Sequence, residues 1–239
     1  MVERIIGFDR SVVVAADVET SKLSKLVEET CLVEGVGGYK VGLSLALEEG
    51  LARVVSTVKD HTDLPVIYDH QKAGNDIPAM GAEFAKVCKQ SGVDAVILFP
   101  FAGEATEKDW IKACQDKQLG VLVGAHMTQP KFLWSEGGSL ADEAPERIFT
   151  IAAQEGVTDF VVPGNKVEFV DHYRTLFENI LGKDNFTLYA PGFITQGGEI
   201  SDFAKAAGNK WHAIVGRAIY KAVDIHEAAE QMTSKIWRD

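Results

Sequence analysis

Cysteine is scarce in this sequence, and no apolar stretch is long enough to cross a membrane. Only three cysteines occur in 239 residues, Cys31, Cys88 and Cys114, and none of them has C-x-x-C spacing. An odd and widely spaced set predicts reduced, buried thiols rather than a disulfide framework. A membrane span needs about 18 consecutive apolar residues, and residues 1–7 lack the apolar segment of a secretory signal. We therefore expect a cytoplasmic protein with no membrane partner.

Positive charge is also in short supply. The chain has 24 lysines and arginines against 35 aspartates and glutamates, which gives a formal net charge of −11. No basic stretch offsets this balance, so nucleic acid, whose phosphates are bound mainly by Lys and Arg, is not an expected partner. A small anion held in a local pocket remains compatible with this charge. Apolar residues make up 46% of the chain, which is enough for a large folded core.

Several common catalytic patterns are absent. The sequence has no nucleophile elbow and no ordered set of Ser, His and Asp, so acyl transfer has no support. It also has no H-E-x-x-H zinc motif. His70 and His126 follow predicted strands, but neither has a partner at metal-ligand spacing. His126 is then either a metal ligand or, as we favour, a hydrogen-bonded histidine of the core.

Eight short apolar runs, rich in Val and Ile, alternate with helix-like stretches along the whole chain. The runs cover residues 11–16, 38–42, 65–69, 95–99, 120–125, 159–162, 187–190 and 212–215. Most of them are continuous, which is typical of parallel strands that are covered on both faces. The stretches 20–35, 104–117 and 145–155 have the capping residues, apolar spacing or early proline of helices.

This alternation predicts an α/β protein built from repeated strand–helix units. Eight units in about 240 residues match one (β/α)8 barrel domain over residues 1–239. A doubly wound open sheet is the alternative. It would favour a G-x-G-x-x-G turn after the first strand, where the sequence has Asp17-Val18-Glu19-Thr20 instead. The longest irregular stretch, 129–142, is either a lid or an ordinary surface loop.

Charged side chains stand at the ends of the first three predicted strands. Asp17 ends the first strand, Lys40 lies within the second, and Asp69 ends the third, followed by Lys72 and Asp76. Active sites of barrels are built at the carboxyl ends of the strands. A lysine inside a short apolar strand is rarely tolerated without a paired carboxylate. Lys40 therefore belongs either to an ion pair that only holds the barrel together or to a buried functional network.

A second signal follows the last two predicted strands. Gln196-Gly197-Gly198 precedes a helix-like stretch, and Gly216-Arg217 opens another. Glycines let backbone N–H groups approach an anion, a helix N-terminus favours negative charge, and arginine adds a cation that can bind in a bidentate manner. Because the loops after strands seven and eight are the usual phosphate site of a barrel, these two segments predict a phosphate-binding site.

Five segments carry a resemblance when they are taken together and in order along nearly the whole chain. They are Ala15-Ala16-Asp17-Val18, Tyr39-Lys40-Val41-Gly42, Asp69 to Lys72 with Asp76-Ile77-Pro78, Pro191-Gly192 with Gln196-Gly197-Gly198, and Val215-Gly216-Arg217-Ala218-Ile219. In this combination the chain resembles the orotidine 5'-phosphate decarboxylase family, in particular its short archaeal-type members. The resemblance implies a TIM barrel that acts as a homodimer, without metal or cofactor. It also implies conversion of orotidine 5'-phosphate (OMP) to UMP and CO2 in pyrimidine biosynthesis.

The resemblance further implies roles for individual residues. A charged catalytic network would consist of Lys40, Asp69, Lys72 and Asp76, with Lys72 protonating C6 of the pyrimidine. Asp76 and Ile77 would reach into the neighbouring subunit's site. The substrate would otherwise be held at the ribose by Asp17, at the pyrimidine by Thr128 in place of the family's usual Ser, and elsewhere by Lys40, Pro191 and Gly197. The phosphate would be gripped by Gln196, Gly216 and Arg217.

The chain departs from the family pattern at two places. The acidic and basic residues are spaced D-x-x-K-x-x-x-D, whereas the family usually has D-x-K-x-x-D, so each gap is one residue longer. Gly74 gives this loop the conformational freedom to bulge. Met80 stands where the family commonly has Thr, which removes one expected hydroxyl contact to the ligand.

Two other functions are compatible with these residues. One is a Mg²⁺-dependent sugar-phosphate decarboxylase or aldolase of the same superfamily, of the 3-keto-gulonate 6-phosphate decarboxylase or hexulose-phosphate synthase type. Such an enzyme would use the strand-three acids with the metal. The other is a barrel that binds a phosphate ligand without catalysis. Asp76-Ile77-Pro78 and Gln196-Gly197-Gly198 favour the decarboxylase of OMP.

Overall fold

The eight predicted strands close into a parallel barrel. The structure, a computed structural model, describes residues 4–70, 73–193 and 199–236. The strands follow one another around the barrel in chain order, and the last one pairs with the first. They are β1 (Arg10–Ala16), β2 (Val36–Gly42), β3 (Val66–Asp69), β4 (Ala95–Leu98), β5 (Gly120–Gly124), β6 (Asp159–Val161), β7 (Thr187–Ala190) and β8 (Trp211–Val215). The predicted (β/α)8 TIM barrel is confirmed, and no strand boundary differs from its predicted position by more than two residues.

Helices connect the strands and cover the outside of the barrel. The described helices are α1 (Thr20–Thr30), α2 (Leu43–Glu49), α3 (Leu51–Lys59), α4 (Met80–Gln90), α5 (Glu104–Asp116), α6 (Ala144–Gln154), α7 (Val167–Leu181), α8 (Ile200–Ala207), α9 (Arg217–Tyr220) and α10 (Ile225–Thr233). None of the described helices is both long and apolar enough to span a membrane.

The barrel has two apolar layers, one on each side of its strands. Val13 and Ala15 of β1 point inward, where they join Ile67 and Ile97 from neighbouring strands. Val12, with the other outward-facing residues of the strands, packs against the helices in a larger cluster. Because both faces of each strand are buried, the strands are apolar without a polar alternation, which is why continuous runs predicted them correctly.

The first helix is shorter than its predicted range of 20–35. It ends at Thr30, and the chain then turns through Gly35, whose φ of +90° is a left-handed conformation that favours glycine. A Cβ at this position would also lie 2.9 Å from Thr233 Cβ of α10. The predicted cap at Thr20 is wrong, because Glu19 occupies the N-cap position and makes no side-chain capping bond there.

The three cysteines are free, as the sequence predicts. Cys88 and Cys114 are buried, whereas Cys31 is half-buried. Burial raises the pKa of the Cys88 and Cys114 thiols to about 12. A thiol with such a pKa is protonated at neutral pH and is a poor nucleophile.

Candidate active site

A cavity of about 240 Å³ opens at the carboxyl ends of the barrel strands. Among the described residues, six polar side chains from different parts of the rim line it, namely Asp17, Lys40, Asp69, Thr128, Arg217 and Tyr220. Its apolar walls include Ile97, Phe99, Val161 and Ile214, and its backbone includes Pro191 and Gly216. Residues that are far apart in the sequence therefore meet at the end of the barrel where the sequence placed the site.

Lys40 is the centre of the charged part of this cavity. Its Nζ lies 3.2 Å from Asp17 Oδ1 and 3.2 Å from Asp69 Oδ2. The Lys40 side chain is 7% exposed and that of Asp69 is 16% exposed, whereas Asp17 is 44% exposed at the cavity mouth. Strand register explains the arrangement, since Lys40 pairs with Ala15 of β1 on one side and with Ile67 of β3 on the other. Its side chain therefore lies between the two strand-end carboxylates.

The two carboxylates keep Lys40 charged in spite of its burial. Burial alone would lower the pKa of its ammonium group. The charges of Asp69 and Asp17, together with their hydrogen bonds, outweigh that effect and raise the pKa of Lys40 above its ordinary value. The ammonium group is thus charged at neutral pH and is held between two carboxylates.

Gly42 provides the space for this ion pair at the end of β2. A Cβ at position 42 would lie 3.0 Å from Asp17 Oδ1 and 4.0 Å from Lys40 Nζ. A larger residue there would displace the Asp17 carboxylate. The glycine of Tyr39-Lys40-Val41-Gly42 is therefore required by close approach.

Gly216, Arg217 and Tyr220 form the wall after β8. All three line the cavity, and Arg217 is the first residue of α9. That helix has only four residues, so its dipole is weak and the Arg217 charge carries most of the attraction for an anion. Burial and the nearby charge of Asp17 raise the pKa of Tyr220. Its phenol is therefore protonated at neutral pH and can donate a hydrogen bond.

Thr128 lies at the opposite side of the barrel from β1, just after β5. Its hydroxyl-bearing side chain lines the cavity together with Met127. Asn165, which follows β6, donates from Nδ2 to the Thr128 carbonyl oxygen over 3.0 Å. This bond fixes the backbone of Thr128 against the neighbouring strand end.

His126 is a core residue, as favoured from the sequence. It is 2% exposed, and both ring nitrogens are engaged: Nδ1 with the Tyr173 hydroxyl at 2.8 Å and Nε2 with Lys166 Nζ at 2.9 Å. Burial and the charge of Lys166 lower the pKa of His126 to about 4. The ring is then neutral, with Nδ1–H donating to Tyr173 and Nε2 accepting from Lys166.

The stretch 129–142 is an ordered loop held down by Glu136. The Glu136 carboxylate pairs with Lys166 and accepts the backbone N–H groups of Phe132 at 2.9 Å and Leu133 at 3.4 Å. Burial opposes the charge of Glu136, but these partners lower its pKa to about 2. Glu136 thus attaches the loop that follows Thr128 to Lys166, the residue that also contacts His126.

Asp76 and Ile77 lie outside the cavity of their own chain. Both are exposed, with Ile77 at 62%, and neither contributes to the cavity wall. In the part of the chain that the structure describes, the charged side chains that line the cavity are Asp17, Lys40, Asp69 and Arg217. Met80, which begins α4, is also exposed and does not line the cavity.

Three residues of the predicted site, Lys72, Gln196 and Gly197, lie outside the described residues. The structure does describe the chain on both sides of each segment. His70 and Ala73 flank the first segment, and Phe193 and Glu199 flank the second. Phe193, the last described residue before the second segment, lines the cavity.

Sequence reasoning missed some residues of the cavity, Tyr220 above all. Tyr220 lies three residues after Arg217, the spacing that places two helical side chains on one face. That spacing was the available signal. The apolar residues Phe99 and Val161 had none, because an inward-facing and an outward-facing apolar residue of a buried strand are alike in the sequence.

The donor set around Lys40 is poorly suited to a divalent metal. Within ranges 4–70, 73–193 and 199–236, no three His, Cys, Asp or Glu side chains come together as a metal site. The position between Asp17 and Asp69, where a cation would be attracted, is taken by the Lys40 ammonium group.

The fold and the site together define a barrel that binds a small anionic substrate at its strand ends. A family model described as "Orotidine 5'-phosphate decarboxylase / HUMPS family" matches residues 10–232. The chain belongs to that family.

Individual relatives agree with this assignment. The chain is 32% identical over 225 residues to the orotidine 5'-phosphate decarboxylase of Methanosarcina barkeri, covering 94% of this chain and 93% of the relative. It is 27% identical over 226 residues to the enzyme of that name from Pyrococcus abyssi, covering 94% and 98%. The solved structure of orotidine 5'-monophosphate decarboxylase from Methanocaldococcus jannaschii, complexed with the inhibitor BMP, is similar with a TM-score of 0.83 and 25% identity. That match covers 96% of this chain and 99% of the other.

Proposed function

We propose that this protein is a carboxy-lyase that converts orotidine 5'-phosphate to UMP and CO2. The observation that carries the proposal is the buried Lys40 ammonium, held between Asp17 and Asp69 in a cavity that Arg217 also lines. The family and the relatives reported above support the same reaction. The barrel acts as one catalytic domain, and we place the enzyme in the cytoplasm as part of pyrimidine biosynthesis.

The chemistry requires strong electrostatic stabilisation. Loss of CO2 from C6 of the pyrimidine leaves a vinyl carbanion, and the ring offers no electron sink for it. The enzyme must therefore present fixed positive charge where negative charge develops. We assign to Lys72 the protonation of C6 as general acid. Lys40 fixes the position and charge of Asp69, which stands beside the substrate carboxylate and disfavours the ground state.

Binding at the other end of the substrate supplies the alignment. Arg217, Gly216 and the segment with Gln196 and Gly197 grip the phosphate, and Asp17 holds the ribose. Thr128 bonds the pyrimidine from the β5 side of the cavity. Binding energy from the phosphate, remote from C6, is used to close and orient the site around a small reacting group.

The metal-dependent alternative is not favoured. The relatives that match this chain over most of its length are named orotidine 5'-phosphate decarboxylases. A Mg²⁺-dependent sugar-phosphate enzyme would also need the strand-three carboxylate free to bind the metal. In this chain Asp69 is paired with Lys40.

The proposal includes a homodimer with shared active sites. Asp76 and Ile77 project from the surface rather than into their own cavity, and Ile77 is an exposed apolar side chain. Burying Ile77 against a second copy would remove apolar surface from water and bring Asp76 to the neighbouring cavity.

The decisive experiment is an assay of the purified protein with orotidine 5'-phosphate. We expect release of CO2 and formation of UMP at a rate unchanged by EDTA. Turnover that EDTA abolishes and Mg²⁺ restores would favour the metal-dependent enzyme. Tight binding of UMP without any turnover of OMP would instead favour a phosphate-binding barrel without catalysis.

A further inference from the structure

We propose that Asn75, Thr106 and Trp110 are positioning residues that clamp the segment 73–77, so that Asp76 and Ile77 are held ready for the neighbouring active site. We call this segment the arm. The inference rests on the proposed function, because it concerns how that function's shared site is assembled. It adds three residues that neither the sequence pattern nor the cavity identifies.

The first half of the arm is fastened to the end of β4. The Phe99 N–H donates to the Ala73 carbonyl oxygen over 2.8 Å. The Asn75 side chain then bridges the same strand end in both directions. Its Nδ2 donates to the Phe99 carbonyl oxygen at 2.9 Å, and its Oδ1 accepts from the Phe101 N–H at 2.9 Å.

The second half of the arm is fastened to α5. Thr106 Oγ1 donates to the Asp76 carbonyl oxygen over 2.9 Å, and Trp110 Nε1 donates to the Ile77 carbonyl oxygen over 3.2 Å. Both donors belong to buried residues, at 4% and 6% exposure. They hold the backbone of the arm from beneath, while the side chains of Asp76 and Ile77 remain exposed.

This arrangement suits an arm that is longer than its relatives' pattern. The gap between Lys72 and Asp76 contains one residue more than the usual spacing, and a longer flexible loop has more conformations to lose when its end is fixed. Gly74 takes a φ of +95°, and a Cβ there would lie 3.2 Å from Pro100. The lengthened loop thus folds close against β4, and the Asn75 bonds keep it there.

A clamp of this kind affects turnover more than binding of the product. Catalytic groups that are misplaced by about 1 Å can cost about a hundredfold in rate. The proposed phosphate site lies after β8, where Gly216 and Arg217 line the cavity, and no residue of the arm lines that cavity. Loss of a clamp bond should therefore lower kcat while the affinity for UMP is retained.

The test uses Thr106→Val, which removes the hydroxyl donor at nearly constant volume, and Asn75→Ala. We expect each variant to lower kcat for OMP about tenfold, with the UMP Kd changed by less than about threefold. Thr106→Ser, which keeps the donor, should restore kcat to within about threefold of the wild type. Gln115→Ala is the matched control. Gln115 is also on α5, and its side-chain amide likewise donates a hydrogen bond to a carbonyl oxygen, that of Glu155, away from the arm. This substitution should leave kcat unchanged.

Mixed dimers separate positioning from a general loss of structure. When Thr106→Val subunits exchange with Lys72→Ala subunits, one site of each mixed dimer combines an intact Lys72 with an intact arm. Activity should then rise above that of either variant alone. If the clamp acted only within its own subunit, the activity of the mixture per total protein would fall below that of the Thr106→Val enzyme alone, and that result would overturn the proposal.

The inference and the proposed function can fail separately. Active wild-type enzyme, with both Thr106→Val and Asn75→Ala at about wild-type kcat, would overturn the clamp and leave the decarboxylase assignment intact. Wild-type protein that does not convert OMP would overturn the proposed function, and the clamp with it.

Discussion

At the scale of single residues, the site is governed by how charges are paired. Lys40 stays charged in a buried place because Asp17 and Asp69 both lie 3.2 Å from its Nζ. The same pairing fixes the two carboxylates, which would otherwise repel each other and move apart. Lys40 is thus a structural support for both carboxylates at this end of the cavity.

Changing Lys72 to alanine should abolish decarboxylation and leave UMP binding largely intact. The reason is that the proposed general acid and its preorganised charge are lost, which should raise the barrier by at least about 3 kcal/mol. Steady-state kinetics and UMP titration measure the two effects. Lys112→Ala, an exposed lysine on α5, is the control. Near wild-type turnover of Lys72→Ala would transfer the catalytic role to Lys40.

Changing Arg217 to alanine should lower kcat/KM for OMP far more than kcat/KM for orotidine, the phosphate-free nucleoside. A charge-assisted contact to phosphate is lost, which should cost about 2–4 kcal/mol. Some turnover should be lost as well, because phosphate binding also aligns the site. The measurement is kcat/KM for both substrates in both enzymes. If the substitution lowered kcat/KM by the same factor for both substrates, Arg217 would not hold the phosphate.

At the scale of elements, a loop and a helix each carry an acid, and the protonation states of the two acids differ. Glu136 in the 129–142 loop is held as an anion by Lys166 and two backbone N–H groups. Glu107 on α5 is 1% exposed, and burial, with the charges of Glu104 and Glu155, raises its pKa to about 8. One acid fastens a loop, and the other is neutral within a helix interface.

Glu136→Gln should loosen the 129–142 loop. The charge that pairs with Lys166 is lost, so the loop should open more often and expose the peptide bond after Lys131 to trypsin. We expect cleavage there to be faster by at least about threefold, as followed by mass spectrometry. Glu143→Gln, an exposed acid just beyond the loop, is the matched control. Equal cleavage rates in the two variants would contradict the fastening role of Glu136.

Glu107→Gln should stabilise the protein more at about pH 8 than at about pH 5. In the unfolded chain this carboxyl ionises near its ordinary pKa of 4.5, whereas in the fold it keeps its proton up to about 8. The folded state therefore binds more protons between these values, and stability falls as pH rises. Glutamine cannot ionise. The free energy of unfolding of Glu107→Gln, relative to that of the wild type, should therefore increase by at least about 1 kcal/mol from pH 5 to pH 8.

Urea unfolding of both proteins at the two pH values measures this difference. Asp109→Asn, an exposed acid on the same helix, is the control and should show no such trend. A Glu107→Gln advantage that is the same at both pH values would mean that Glu107 is already ionised in the fold.

At the scale of the whole molecule, barrel closure brings eight strand ends to one rim. Asp17, Thr128 and Arg217 come from the beginning, the middle and the end of the chain, yet they line one cavity. The arm with Asp76 and Ile77 instead points away from that cavity. Within a single chain, Asp76 and Ile77 thus do not contribute to the wall of this cavity.

Mixing inactive Asp76→Ala with inactive Lys72→Ala protein should restore activity. In a dimer with shared sites, one of the two sites in each mixed dimer receives an intact Lys72 and an intact Asp76. Up to about half of the mixed dimers' sites should then be active. Differently tagged subunits measure the exchange. If exchange is complete and no activity returns, the shared-site arrangement is wrong.

The sequence alone determined the fold and the position of most of the site. Continuous apolar runs mark strands that are buried on both faces. The strands of any parallel barrel are covered in this way, so the pattern can be read from each segment alone. Asp17 follows such a run, Asp69 ends one and Arg217 comes two residues after one, so they had to lie at the strand ends where barrels build their sites. The start of α6 at Ala144, with Pro145 in its first turn, is equally local, because proline fits the first turn of a helix.

Tertiary structure decided which of these groups touch. Lys40 pairs with both Asp17 and Asp69 because strand register places it between β1 and β3. His126 meets Lys166 and Tyr173, which come from later units of the barrel. Asp76 and Ile77 face outward because β4 and α5 hold the arm's backbone. Such contacts join residues distant in sequence, and they depend on how the barrel closes, which no local pattern of residues encodes.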